Sequence, residues 1–148
     1  AWCYYDNDSK NGKIHGKLYN WFAVNDFRGL APKGWHIPTA QDWITLTDCL
    51  GGKSAAVKKM KNTNGWKDGE DESTENGNNE SGFSGLPGGY RYKHDAFHSI
   101  NLLGLWWSSS EYDPENAWYL SLHYFNTSFT RNYKQVKQYG CSVRCLKD

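Results

Sequence analysis

Four cysteines, five histidines and one serine run are the side chains here that could carry covalent or metal chemistry. The cysteines are Cys3, Cys49, Cys141 and Cys145. No two form a Cys-x-x-Cys pair, which argues against a zinc ribbon or a thioredoxin-type motif. Their even count fits one or two disulfides and an oxidising compartment. Three pairings are open to four cysteines and spacing does not choose among them; unpaired buried thiols are the alternative. His15, His36, His94, His98 and His123 are scattered, with no His-Glu-x-x-His. Each therefore reads as a surface or hydrogen-bonded histidine rather than a metal ligand. Ser108-Ser109-Ser110-Glu111 lacks a Gly-x-Ser-x-Gly elbow and reads as strand-end hydrogen bonding beside Trp106-Trp107.

Oxygen-rich chemistry is confined to Lys67 to Glu80, which holds Asp68, Glu70, Asp71, Glu72, Glu75 and Glu80. It cannot bury a face of its own and reads as a solvated loop. The functional reading is a calcium site, with carbonyls and carboxylates around Asn79 and Glu80, although EF-hand spacing is absent. Gly85, Gly88 and Gly89 around Pro87 imply a tight backbone course, but there is no Gly-x-Gly-x-x-Gly and no strand-turn-helix context for a nucleotide.

A contact surface is the third chemistry on offer. Between Ala117 and Phe125, strand alternation puts Trp118, Leu120, Leu122 and Tyr124 on one face and Tyr119, Ser121, His123 and Phe125 on the other. Across a turn at Asn126-Thr127-Ser128, Asn126, Ser128, Thr130, Asn132 and Tyr133 are expected to extend that surface, with Arg131 as a further donor. Aromatic rings stack on sugars, and Asn, Ser, His and Arg supply donors and acceptors. The expected contact residues are Tyr119, Ser121, His123, Asn126, Arg131 and Tyr133; an ordinary wet sheet surface is the alternative.

The elements that must position these groups are partly readable. Ala1 to Tyr5 reads as a first strand and Asp6 to Gly12 as a turn. Residues 16–24 fit either a strand or a short helix. Thr39 is a good N-cap with Asp42 three residues on, so a helix is expected over 40–50, stopped by Gly51-Gly52. Ser54 reads as the N-cap of a second helix over 55–62, with Val57 and Met60 inward and Lys58, Lys59 and Lys61 solvated. Residues 64–104 read as a long irregular region, and 104–148 as consecutive antiparallel strands.

Composition sets the outer bounds. At 148 residues the chain is read as one domain, 1–148, able to bury a core. Net charge +1 and the lack of a basic run argue against nucleic acid. No apolar run approaches the roughly 20 residues needed to span a membrane, so no membrane insertion is expected. With no initiating Met and no visible signal peptide, the chain reads as a mature or excised domain. Its 8 Trp, 10 Tyr and 6 Phe suit both a core and a binding surface.

Several ordered segments point to a family. They are Gly16-Lys17-Leu18-Tyr19-Asn20-Trp21, Gly29-Leu30-Ala31-Pro32, Gly34-Trp35-His36-Ile37-Pro38-Thr39, Asn79-Glu80-Ser81-Gly82-Phe83, Leu86-Pro87-Gly88-Gly89-Tyr90-Arg91, Trp106-Trp107-Ser108-Ser109 and Ser142-Val143-Arg144-Cys145. Together they resemble the Fibrobacter succinogenes major paralogous domain family (FISUMP) over essentially the whole chain. That family is similar to C-type-lectin-like domains. The resemblance implies an α+β, C-type-lectin-like fold, with two helices on a small twisted antiparallel sheet, a long irregular loop region and adjacent termini. Cys49 and Cys141 stand where the family more often has aromatics. The first helix and final strand pack together in such folds, so the resemblance implies a Cys49–Cys141 disulfide. Cys3 and Cys145, on first and last strands lying side by side, would form the second.

The resemblance also implies a role: a non-catalytic, extracellular or cell-surface bacterial module that binds a glycan or surface protein, often as part of a lipoprotein. No cofactor is required, with structural Ca2+ the one ion considered. A fibre-tip or surface-layer subunit that self-associates is the alternative. The related formylglycine-generating enzymes need an accessible redox cysteine pair, and Gly140-Cys141-Ser142-Val143-Arg144-Cys145 lacks their cysteine-neighbouring residues. Pro114-Glu115-Asn116 is not the Glu-Pro-Asn calcium motif of sugar-binding lectins, and the companion Trp-Asn-Asp is missing.

Overall fold

Leu103-Gly104-Leu105-Trp106-Trp107 is apolar on both alternating faces, and such a strand must be covered on both. The computed structural model describes residues 1–67, 76–93, 96–124 and 129–148, with the backbone alone described at 129–133. In chain order its elements are β1 (Trp2–Cys3), a 3-10 turn (Tyr5–Asn7), α1 (Ser9–His15), β2 (Leu18–Tyr19), α2 (Trp21–Val24), β3 (Trp35–His36), α3 (Ala40–Cys49), α4 (Lys53–Met60), β4 (Gly88–Arg91), β5 (Phe97–Ile100), β6 (Leu103–Glu111), β7 (Asn116–His123), β8 (Phe129–Val136) and β9 (Leu146–Lys147). The class is α+β. The central sheet runs β5-β4-β6-β7-β8, antiparallel except where β4 meets β6 at Gly89 and Gly104. Two antiparallel ribbons, β1-β2 and β3-β9, complete the sheets.

Both faces of β6 and β7 are indeed covered. On one lie Trp43 of α3 and Ala56, Val57 and Met60 of α4, packed with Trp66, Trp106, Leu120 and Leu122. On the other lie Trp21 and Val24 of α2 with Ile37, Leu105, Trp107, Ala117, Tyr139 and Cys141. Each buried aromatic ring removes about 150–250 Å² from water, a gross gain on the order of 4–6 kcal/mol before entropy. Indole N–H groups reach carbonyls where they can: Trp107 Nε1 donates to Tyr19 O at 2.7 Å, Trp21 Nε1 to Ser108 O at 2.8 Å. The serine run works the same seam. Ser109 Oγ donates to Ile37 O at 3.0 Å, and Ser110 Oγ accepts from Ala40 N at 3.0 Å, tying β6 to the start of α3.

Helix α3 forms where the capping signal places it. Thr39 Oγ1 accepts from Asp42 N at 3.1 Å, and Asp42 Oδ2 accepts from Thr39 N at 2.8 Å. Gly51 and Gly52, at φ 97° and 86°, turn the chain sharply into α4. There the expected cap is corrected: α4 begins at Lys53, so Ser54 lies inside it, and Gly52 caps without a side-chain bond. Lys61 also departs from expectation; it is fully buried rather than solvated. The Asp6–Gly12 turn is partly a helix, because Asp8 Oδ1 accepts from Lys10 N at 2.8 Å and caps α1. Residues 16–24 hold both alternatives, β2 and then α2, with Asn20 Oδ1 accepting from Ala23 N at 3.1 Å between them. The region expected to be irregular contains β4 and β5.

The first and last strands do not pair with each other. Instead Gly140, Cys141 and Ser142 bond in turn to Arg91, Tyr19 and the Leu105–Trp107 stretch. β9 pairs with β3 alone, Trp35 opposite Lys147 and His36 opposite Leu146. His36 sits between two carboxylates, Nδ1 2.7 Å from Asp148 Oδ1 and Nε2 3.6 Å from Asp42 Oδ2. The Asp148 hydrogen bond is the main cause that raises the His36 pKa. Asp42 is lowered: burial opposes ionisation there, but the Thr39 bonds and the His36 charge outweigh it. A raised histidine stabilises below its unfolded value near 6.5 and loses that contribution as pH rises through its folded value. Amide protection factors at His36 and Leu146 should therefore fall as pH rises through the raised folded-state pKa of His36, and a His36→Gln variant should show no such step.

Candidate functional site

The expected contact surface on β7 is not an open face. Alternation along the strand holds, but its second face is covered too. Tyr119 packs against the cluster around Trp107, and Ser121 is 1% exposed. His123 is half-buried, its pKa lowered first by burial and then by the Lys61 charge. That lysine donates from Nζ to Tyr124 O at 3.0 Å, lies 4.7 Å from the Trp66 ring centre, and is pushed down to about 8 by burial. Asn126 lies outside the described residues, and Arg131 and Tyr133 are described only as backbone positions of β8, Arg131 opposite Leu120 and Tyr133 opposite Tyr119.

Asn79 holds its own turn: Oδ1 accepts from Ser84 N at 2.7 Å and Nδ2 donates to Ser84 Oγ at 2.8 Å. Glu80 pairs with Lys59 at 3.0 Å. Among the described residues no three His, Cys, Asp or Glu converge, and the acidic residues 68–75 lie outside them. All four cysteines are free thiols. Cys49 is exposed at the end of α3, on the side of the sheet opposite the buried Cys141, so the expected bridge between them is corrected. Cys3 pairs through β1 with Leu18, whereas Cys145 precedes β9, whose partner is β3; that bridge is not formed either. Burial is the main cause that raises the pKa of Cys3, Cys141 and Cys145.

The structure instead brings together residues from four of the segments behind the family resemblance. A cleft of about 520 Å³ is lined by Tyr4, Ile14, His15, Lys17, Tyr19, Ser84, Leu86, Trp106, Ser142, Val143 and Arg144, with Gly12 and Gly16. Its apolar lining residues are Ile14, Leu86, Trp106 and Val143, its hydroxyl-bearing ones Tyr4, Tyr19, Ser84 and Ser142, and its charged ones Lys17 and Arg144. Lys17 Nζ lies 3.9 Å from the centre of the Trp2 ring. Arg144 Nη2 donates to Phe83 O and, at 3.4 Å, to Ser84 O, while its guanidinium lies 5.0 Å from the Phe83 ring centre. Burial lowers the pKa of both Arg144 and His15. His15 Nδ1 is buried and has no hydrogen-bond partner among the described residues. Trp2 is half exposed beside the cleft and meets Tyr4 edge-on at 5.3 Å.

Sequence reasoning passed over this site. The signal available was the order of the family segments, since Lys17, Tyr19, Leu86, Trp106, Ser142, Val143 and Arg144 all fall inside them. Spacing alone could not gather residues separated by more than a hundred positions. The glycine at position 12 seats one wall: a Cβ there would lie 2.2 Å from Tyr4 Cδ1. A family model described as Fibrobacter succinogenes major domain matches residues 1–147. No curated protein and no solved structure gives a significant match.

Two substitutions separate the cleft from the β7 face. In most helix interiors Gly→Ala gains about 1 kcal/mol. At Gly12 it must displace the Tyr4 ring, an overpacking cost of about 1–3 kcal/mol. Gly12→Ala should therefore lower the melting temperature and shift the Tyr4 ring resonances. Ser121→Ala removes a buried hydroxyl with no partner among the described residues and should be neutral or stabilising by about 1 kcal/mol in urea unfolding.

Proposed function

This chain belongs to the Fibrobacter succinogenes major domain family, and on that footing we propose that it is a non-catalytic ligand-binding module of a bacterial surface or secreted protein. The carrying observation is the 520 Å³ cleft, within the range of about 300–1,000 Å³ usual for small-molecule sites. Hydroxyl-bearing, cationic and apolar residues lining one cleft suit a glycan, which offers hydroxyl edges and an apolar ring face. The α+β arrangement, with α3 and α4 on one face of a twisted sheet, supports a C-type-lectin-like reading of the fold. The extracellular setting rests on the family resemblance, and the free thiols add nothing to it.

Thiol chemistry of the formylglycine-generating type is disfavoured in this reading. Cys141 is fully buried, and burial pushes its thiol further from the reactive thiolate. An assembly role keeps one observation of its own. Trp2, Phe22 and Phe27 are 52%, 54% and 96% exposed, and Trp2 and Phe22 line a second cleft of about 440 Å³ that shares Tyr19 with the first.

A glycan array read with wild-type protein, Tyr4→Ala and Ser121→Ala checks the proposal. Wild type and Ser121→Ala should bind the same glycans, and Tyr4→Ala should lose at least about tenfold in affinity. Binding that survives in Tyr4→Ala but falls in Ser121→Ala would move the site back to β7. Sedimentation that shifts with concentration, with no glycan bound, would favour assembly through the Trp2–Phe22–Phe27 surface.

A further inference from the structure

We propose that the cleft binds a carboxylate-bearing saccharide, with the acid group held by Lys17 and Arg144 and the sugar ring against the apolar lining at Leu86 and Val143. This rests on the ligand-binding reading above and narrows it to one ligand class.

Charge balance is the first argument. Lys17 and Arg144 line the cleft, and no Asp or Glu does among the described residues. Lys17 meets the Trp2 ring, and Arg144 meets two backbone carbonyls and the Phe83 ring; neither contact neutralises a charge. A partly desolvated cation without a carboxylate is costly, and an anionic ligand removes that cost. Arg144 is also pre-positioned. A guanidinium has five N–H donors, and with Nη2 on the Phe83 and Ser84 carbonyls, Nε and Nη1 keep donors for a carboxylate. The tether and the Phe83 ring hold the fork in place, so little freedom is lost on binding.

Polar satisfaction points the same way. His15 Nδ1 is buried without a partner, and a buried unpaired nitrogen in a cleft calls for one. That nitrogen is closed off by protein, so a ligand hydroxyl reaches it when the imidazole turns toward the cleft that His15 lines. Tyr4, Tyr19, Ser84 and Ser142 bring further donors and acceptors to the cleft, and Leu86 and Val143 bring apolar surface for a ring's C–H face. A bare inorganic anion would leave that apolar lining unused. An extended acidic peptide would seek a strand edge, but Tyr19 is already paired on both sides, with Trp2 and with Cys141.

Calorimetric titration of the full 148-residue chain tests this with uronate and sialate oligosaccharides, each beside its methyl ester. The ester keeps shape and hydroxyls and removes the charge. At least one acid should bind, with its ester at least about tenfold weaker and with affinity falling as salt rises. Lys17→Gln and Arg144→Gln should each cost about tenfold or more for the acid and little for the ester. If Arg144→Gln melts at assay temperature, Lys17→Gln and the salt series decide. Acids and esters that bind equally overturn the anionic ligand and leave the glycan-binding reading standing. A glutamate-rich peptide that binds more tightly than every saccharide overturns it as well. No binding of any acid, ester or array glycan overturns both readings.

Discussion

The constraint on which this structure depends is that β6 and β7 are apolar on both sides. Trp106 and Trp107 are neighbours in sequence but belong to different cores, one under α3 and α4, the other under α2 and the 139–141 stretch. A sheet sandwiched in this way has little open face at its centre. Ligand contact is therefore displaced to where a short helix and a ribbon lean against the sheet. There α1, β2 and residues 142–144 line the cleft together with Trp106, itself a member of the core under α3 and α4. Core and site share a residue, so the cleft is backed directly by close packing.

Electrostatics follows the same division. Lys137 is almost fully buried, but Glu111 Oε1 at 2.5 Å and Pro114 O at 3.0 Å answer it. Asp26 and Arg28 satisfy each other on the surface at 2.7 Å. Lys17 and Arg144 have ring faces and carbonyls instead of carboxylates. The contrast within one small domain is what makes the cleft stand out: its cations are positioned but not neutralised.

How far the sequence disclosed this depends on the kind of signal. The Thr39–Asp42 box and the Gly51-Gly52 stop are local chemistry, and α3 ends where they put it. α1 went unseen because its seven residues, Ser9–His15, bury no side chain and carry no apolar period; one Asp8 cap and packing by Tyr4 over Gly12 define it. The alternation on β7 was legible, but which face was wet was not. That depended on α2, four residues long and a hundred positions away. Cysteine pairing failed for a similar reason, since Cys49 and Cys141 approach the sheet from opposite sides. Lys61 reads as part of a basic cluster, and only the fold shows that its stem crosses to Tyr124. The cleft itself is a long-range assembly, visible in sequence only as ordered segments without a stated reason to meet.

Gly140, Cys141 and Ser142 bond to three segments that are otherwise far apart, at positions 91, 19 and 105–107. Those bonds close loops of roughly 35 to 120 residues, the kind of closure whose entropy must be met before any contact returns it. On a ribosome, the earlier strands and helices would emerge with the gap between β2, β4 and β6 still unfilled. The cooperative native state becomes available only once residue 142 has cleared the exit tunnel. Folding is then expected to be slow for the size of the domain, with exposed tryptophans in the waiting chain.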